Sequence, residues 1–152
     1  MSSKGWVERI LDRKSMWRRA VELEEGGNFK EAAKYYTEEA KRHEGKNEAM
    51  SGLCFLSAAK CLLKAGEREK AIKLFRVAGN HYMKYAETIL PTSPRSAAWG
   101  YRMAAKCFSL ANEHGLSREL LRIAKLIEEK LEGEEKKEKR IFRVYRPRKG
   151  GC

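Results

Sequence analysis

Apolar residues recur along this chain at the spacing that lines one side of an α-helix. In three segments they fall three or four residues apart over three or more turns, and a further helix is expected ahead of each segment. The pattern therefore predicts three antiparallel pairs of helices. The first helices of the pairs are expected over residues 6–25, 47–65 and 95–113, and the second helices over Phe29 to Ala40, Ala71 to Ile89 and Leu116 to Leu131.

Glycine and proline mark the expected ends of these helices. Glycine readily adopts the left-handed conformation that ends a helix, so turns are predicted at Gly26-Gly27, Gly66 and Gly115. The second and third pairs are separated by a segment in which Ser93 is expected to cap the next helix and Pro94 to occupy its first position. Residues 7–90 contain no proline, which leaves long helices free to form there.

An internal repeat supports this organisation, because the sequence Ala-Ala-Lys-Cys occurs at both 58–61 and 104–107. The segment from Gly27 to Tyr36, which reads GNFKEAAKYY, resembles the turn and second helix of a tetratricopeptide repeat. The segment from Gly66 to Phe75 repeats that pattern, and in the third pair Gly115 and Leu120 hold the matching places.

The resemblance covers about residues 10–132 and implies an all-α fold, an α-solenoid of three helix hairpins in a right-handed stack. It places Ala20, Ala59 and Ala105 where neighbouring helices approach closely. The turns are spaced more widely than in a standard repeat, which has about 34 residues. Longer hairpins of this kind are similar to those of the soluble NSF attachment proteins, and the first hairpin alone also resembles a microtubule-interacting-and-trafficking domain.

Charge suggests what such a domain binds. The chain has a formal net charge of +12, and neither Ala49–Ala65 nor Arg95–Ala111 contains an acidic residue. The resemblance implies that the first helix of each hairpin lines a concave groove, so we expect a non-catalytic scaffold or adaptor that binds an acidic peptide or helix there. The competing interpretation is that these cations are solvated surface groups. The candidate binding residues are Lys14, Arg18, Lys60, Lys64, Trp99, Arg102 and Lys106.

Residues 133–152 are predicted to form a basic tail that follows a helical domain of residues 1–132, with eight Lys or Arg against three Glu. The tail could contact nucleic acid or an acidic partner, fold back on the last hairpin, join two copies as a homodimer, or be a disordered solubilising segment. Residues 141–146 are rich in β-forming side chains but too isolated to make a sheet. The candidate contacts are Arg140, Phe142, Arg143, Tyr145, Arg146, Arg148 and Lys149.

Signals of chemistry are weak. His43, His81 and His114 lie on separate elements without an adjacent nucleophile, and no glycine-rich phosphate loop is present, so no enzyme activity or cofactor is expected. The cysteines lack metal-site and disulfide spacing, and three of them fall on apolar faces, which favours buried thiols at Cys54, Cys61 and Cys107 and no metal. The chain has no signal peptide and no apolar run long enough to span a membrane, so a cytoplasmic protein is expected.

Overall fold

A computed structural model describes residues 5–145, without the side chains of residues 8–15 and 145. It confirms the all-α prediction, because every regular element in this part of the chain is an α-helix. Each helix packs against the helix that precedes it in the sequence. The helices are Trp6–Glu25 (α1), Phe29–His43 (α2), Glu48–Lys64 (α3), Arg68–Ile89 (α4), Pro94–Leu110 (α5) and His114–Tyr145 (α6).

Small residues let these helices approach one another. Ala20, Ala59 and Ala105 are all buried, which confirms their predicted place at helix contacts. Two glycines receive aromatic rings from the next helix: a β-carbon at Gly52 would lie 3.0 Å from the Tyr82 ring, and one at Gly79 would lie 2.9 Å from the Phe108 ring. The core therefore alternates large rings with positions that carry almost no side chain.

Three of the connections between helices, α1–α2, α3–α4 and α5–α6, turn in the same way. Gly27 and Gly66 have φ angles of 82° and 81°, which confirms the predicted left-handed turns. In each turn the next residue donates its N–H back across the helix end: Asn28 to the Leu23 carbonyl at 2.8 Å, Glu67 to Leu62 at 2.9 Å and Glu113 to Phe108 at 2.8 Å. These are Schellman turns, which satisfy carbonyls that the helix end leaves free.

The predicted turn at Gly115 is wrong. In the third pair α5 ends at Leu110, Asn112 takes the left-handed conformation with a φ of 63°, and Gly115 lies inside α6. Asparagine tolerates this conformation better than most residues with a side chain, so it can replace glycine here. Asn112 also follows Ala105 by the same interval that separates Gly66 from Ala59. That spacing was the signal that could have located the turn.

Helix starts agree with the capping pattern. The Ser93 hydroxyl accepts a hydrogen bond from the Ser96 N–H at 3.3 Å, and Pro94 begins α5. This confirms the predicted cap. Asn47 acts in the same way at the start of α3, where its side-chain oxygen accepts from the Met50 N–H at 3.1 Å. Both caps fix the point at which a new pair begins.

Helix α6 is the longest, with 32 residues, and it continues as helix to Tyr145. Residues 133–145 of the predicted tail therefore neither form a strand nor turn back on the last pair. Among the described residues, the last side-chain contact between α6 and another helix is the ion pair of Glu135 with Arg95, in which Nη2 lies 2.6 Å from Oε1. The division into residues 1–132 and 133–152 stays a prediction.

Candidate partner-binding face

The first helices of the second and third pairs expose matched side chains. Counted back from the left-handed residue that ends each helix, the same three positions are exposed on α3 and on α5. They are seven and then four residues apart, so on each helix they lie along one side. We call this set the α3–α5 face. It consists of Leu53, Lys60 and Lys64 on α3 and Trp99, Lys106 and Leu110 on α5.

Two predicted cations of this face, Lys60 and Lys106, influence the pKa of one buried thiol. Burial raises the pKa of the Cys107 thiol to about 12, and the charges of Lys106 and Lys60 act on that pKa in the opposite direction. Lys60 belongs to α3 and Lys106 to α5, so the two ammonium groups come from different helices. Both lysines are exposed, and neither forms an ion pair with a residue that the structure describes.

Two other predicted cations already have partners. Arg102 forms a two-pronged ion pair with Glu128 of α6, with distances of 2.7 Å from Nε to Oε1 and 2.6 Å from Nη2 to Oε2. This contact raises the pKa of Arg102 and lowers that of Glu128. Lys64 lies 4.0 Å from a Glu24 oxygen and 5.4 Å from the centre of the Phe29 ring. The basic edge is therefore only partly free.

Trp99 is held on one side and open on the other. Its ring meets Tyr82 and Tyr85 edge to face, with centroids 5.8 Å and 5.9 Å away, and yet the residue is 48% exposed. Leu53 and Leu110 are each 38% exposed, and Leu63 nearby in α3 is 47% exposed. Hydrophobic periodicity alone does not distinguish these exposed leucines from the buried apolar residues of α3.

Helix α1 is linked to α2 and α3 through Glu24. Glu24 accepts a hydrogen bond from the Tyr36 hydroxyl at 2.7 Å, and its carboxylate lies 4.0 Å from the Lys64 ammonium group. This carboxylate ties α1 to α2 and α3. Arg18 is exposed, whereas the side chain of Lys14 lies outside the described residues.

Four of the seven predicted tail contacts lie at the end of α6. Arg140, Phe142 and Arg143 are all exposed there. Tyr145 is the last residue of α6, and its side chain lies outside the described residues. Arg146, Arg148 and Lys149 also lie outside the described residues. The α3–α5 face and the tail are thus separate candidate surfaces on different helices.

Two of the three histidines, His43 and His81, take part in contacts with other side chains, and His114 is exposed. His81 joins α4 to the start of α3 through Glu48 and stacks on Phe55, with ring centres 5.2 Å apart. His43 pairs with Glu39 one turn earlier in α2, at 3.1 Å. Among the described residues, no three His, Cys, Asp or Glu side chains are grouped so as to hold a metal ion.

The predicted burial of Cys54, Cys61 and Cys107 is confirmed. No helix in the described range has both the length and the apolar character to cross a bilayer. Comparison of the chain with protein-family models, curated proteins and solved structures finds no match.

Proposed function

We propose that this protein is a non-catalytic scaffold or adaptor that binds an acidic, amphipathic peptide or helix on the α3–α5 face. We infer further that its three helix pairs are arranged as a tetratricopeptide-like solenoid in a right-handed stack. Three identical turns, the buried alanines at matched positions and the sequential packing of the helices support that arrangement. In such a stack α3 and α5 line the concave side.

The observation that carries the proposal is the pair of unpaired cations beside exposed apolar side chains. Lys60 on α3 and Lys106 on α5 occupy matched exposed positions, and neither has an acidic partner among the described residues. Leu53, Trp99 and Leu110 flank them at matched positions. Exposed ion pairs contribute little, about 0.2–1 kcal/mol each, so the apolar residues are expected to supply most of the affinity.

This mixture defines the partner by its chemistry. A partner segment with acidic residues on one side of an apolar ridge would place carboxylates at the lysines and cover the leucines and Trp99. Arg102 lies between Trp99 and Lys106 along α5, but its guanidinium is already paired with Glu128.

The test measures binding of a fluorescent helical peptide whose leucines recur at helical spacing and whose flanks carry glutamate. A second peptide has glutamine in place of every glutamate. We expect the acidic peptide to bind the protein more tightly than the neutral one, and Lys60→Glu with Lys106→Glu to weaken its binding by about tenfold.

The matched control is Lys73→Glu, an exposed lysine on α4 outside the face. It changes the net charge but should leave the affinity within about twofold. Equal binding of both peptides, or equal losses in the control and the Lys60 and Lys106 variants, would show that general positive charge rather than this face attracts the ligand.

A further inference from the structure

The end of α6 stands clear of the rest of the molecule. From Glu132 to Val144 every side chain is exposed, and no side chain from residue 136 to residue 144 has an ion pair or hydrogen bond to a described residue. A helix without tertiary contacts is only marginally stable in water, although one that continues from a packed helix avoids the cost of nucleation. This segment, residues 136–145, is called the α6 extension.

Most apolar and basic side chains lie on opposite sides of the α6 extension, and only Lys137 and Glu138 fall among the apolar residues. At 100° per residue, Ile141, Phe142 and Val144 fall within one half of the helix. Their exposed fractions are 58%, 68% and 80%. The opposite side carries four cations at the spacing of successive helical turns. They are Lys136, Lys139, Arg140 and Arg143.

We propose that the α6 extension lies in the surface of an anionic lipid bilayer, with the apolar side in the headgroup region and the basic side near lipid phosphates and carboxylates. Five Lys or Arg residues stand against a single Glu between residues 136 and 145, so the charge is complementary to such a surface. A basic amphipathic helix that ends in aromatic and aliphatic residues is the form that binds in this plane.

Nucleic acid explains the extension less well. Its phosphates would bind the basic side, and Phe142 could stack on a base. Ile141 and Val144 have no aromatic face, and on the side away from the phosphates they would stay in water. A bilayer surface covers the aliphatic side chains and neutralises the cations together. The inference concerns a different surface from the α3–α5 face, so neither proposal depends on the other.

The experiment is co-sedimentation of the full chain with vesicles of phosphatidylcholine alone and with vesicles in which about a third of the lipid is phosphatidylserine, at physiological ionic strength. We expect binding to the anionic vesicles to be at least tenfold tighter than to the neutral ones, and to weaken as salt is raised. Because each cation near the surface contributes about a fivefold change in affinity, Arg140→Gln with Arg143→Gln should cost about 25-fold.

The apolar side is tested by Ile141→Ser with Phe142→Ser, which should reduce binding at least tenfold. Its matched control is Leu126→Ser, since Leu126 is also an exposed apolar residue of α6 and lies outside the extension. The control for the Arg140 and Arg143 variant is Lys125→Gln with Lys130→Gln, which removes two cations of α6 that lie before the extension. Circular dichroism of each variant checks that the helices are retained.

The proposal is overturned if the wild-type chain binds neutral and anionic vesicles alike, if it binds neither, or if the Ile141 and Phe142 variant binds as wild type does. A parallel titration with single-stranded RNA separates the remaining alternative. Tight RNA binding that is lost in the Arg140 and Arg143 variant and kept in the Ile141 and Phe142 variant, without vesicle binding, would assign the extension to nucleic acid instead.

Discussion

The Nδ1 atom of His81 on α4 lies 2.5 Å from Oε2 of Glu48, the residue that begins α3. The same carboxylate accepts a hydrogen bond from the Gly45 N–H at 2.9 Å, and Lys84 lies 3.3 Å from it. Phe55 stacks on the imidazole from α3. Glu48 therefore links the α2–α3 connection to the middle of α4, at a place where three elements meet.

Glu48→Gln is expected to destabilise the fold by about 2 kcal/mol, because it replaces charge-assisted hydrogen bonds with neutral ones. Urea unfolding followed by circular dichroism measures the change. Glu69→Gln, at an exposed position in the first turn of α4, is the control and should change stability by less than about 0.5 kcal/mol. Equal effects of the two changes would contradict a special role for Glu48.

The same carboxylate predicts how stability depends on pH. Burial opposes its ionisation, but hydrogen bonds from His81, Gly45 and Lys84 outweigh burial and hold the pKa of Glu48 below its ordinary value of 4.5. Its contribution is therefore complete above about that pH and is lost as the pH falls through the lower pKa of the folded state. Between pH 5 and pH 3, wild type should lose more stability than Glu48→Gln, measured by urea midpoints at each pH.

Gly79→Ala should cost about 1–3 kcal/mol, because the new methyl group would meet the Phe108 ring at 2.9 Å inside the core. Gly115→Ala provides the opposite case, since Gly115 is helical and has no atom within 4 Å of an added β-carbon. That change should leave stability the same or raise it by up to about 1 kcal/mol. Melting temperatures test both changes. If Gly115→Ala destabilised the protein, Gly115 rather than Asn112 would hold the left-handed turn position.

The three buried thiols should react slowly. Burial raises the pKa of Cys54 and of Cys107 to about 12 and that of Cys61 to about 11, so little thiolate is present at neutral pH. In a Cys152→Ser background, we expect a thiol reagent to modify them at least about a hundredfold more slowly in the native protein than in urea. Rapid labelling of the native chain would show that the helix interfaces open far more often than this packing implies.

The ion pair between Arg102 and Glu128 provides a prediction that depends on the proposed function. Glu128→Gln frees the guanidinium beside the α3–α5 face, so the acidic peptide should bind about two- to fivefold more tightly. Glu119→Gln releases Arg122 at another place on α6 and is the control. If both variants bind the peptide equally, Arg102 does not border the binding surface.

Local signals in the sequence located most of the helices and turns. Ser93 and Pro94 predicted a helix start, and Gly27 and Gly66 predicted turns, because caps and left-handed residues act on neighbouring backbone groups. The third turn was placed at Gly115 because glycine is the stronger local signal, although Asn112 kept the spacing of the repeat. The β-forming residues near Ile141 did not indicate a helix. They are helical because they continue α6, and that context overrides their intrinsic propensity.

The sequence by itself determined an all-α chain with most of its helix ends, because hydrophobic periodicity and turn chemistry are set within a few residues of each position. Only the tertiary structure decided which cations have a partner among the described residues. Arg102 pairs with Glu128, whereas Lys60 and Lys106 form no ion pair there, and such relations join side chains that are distant along the chain. Likewise, the exposure of Leu53 and Leu110 depends on which neighbouring helices cover them, and that is a property of packing rather than of local pattern.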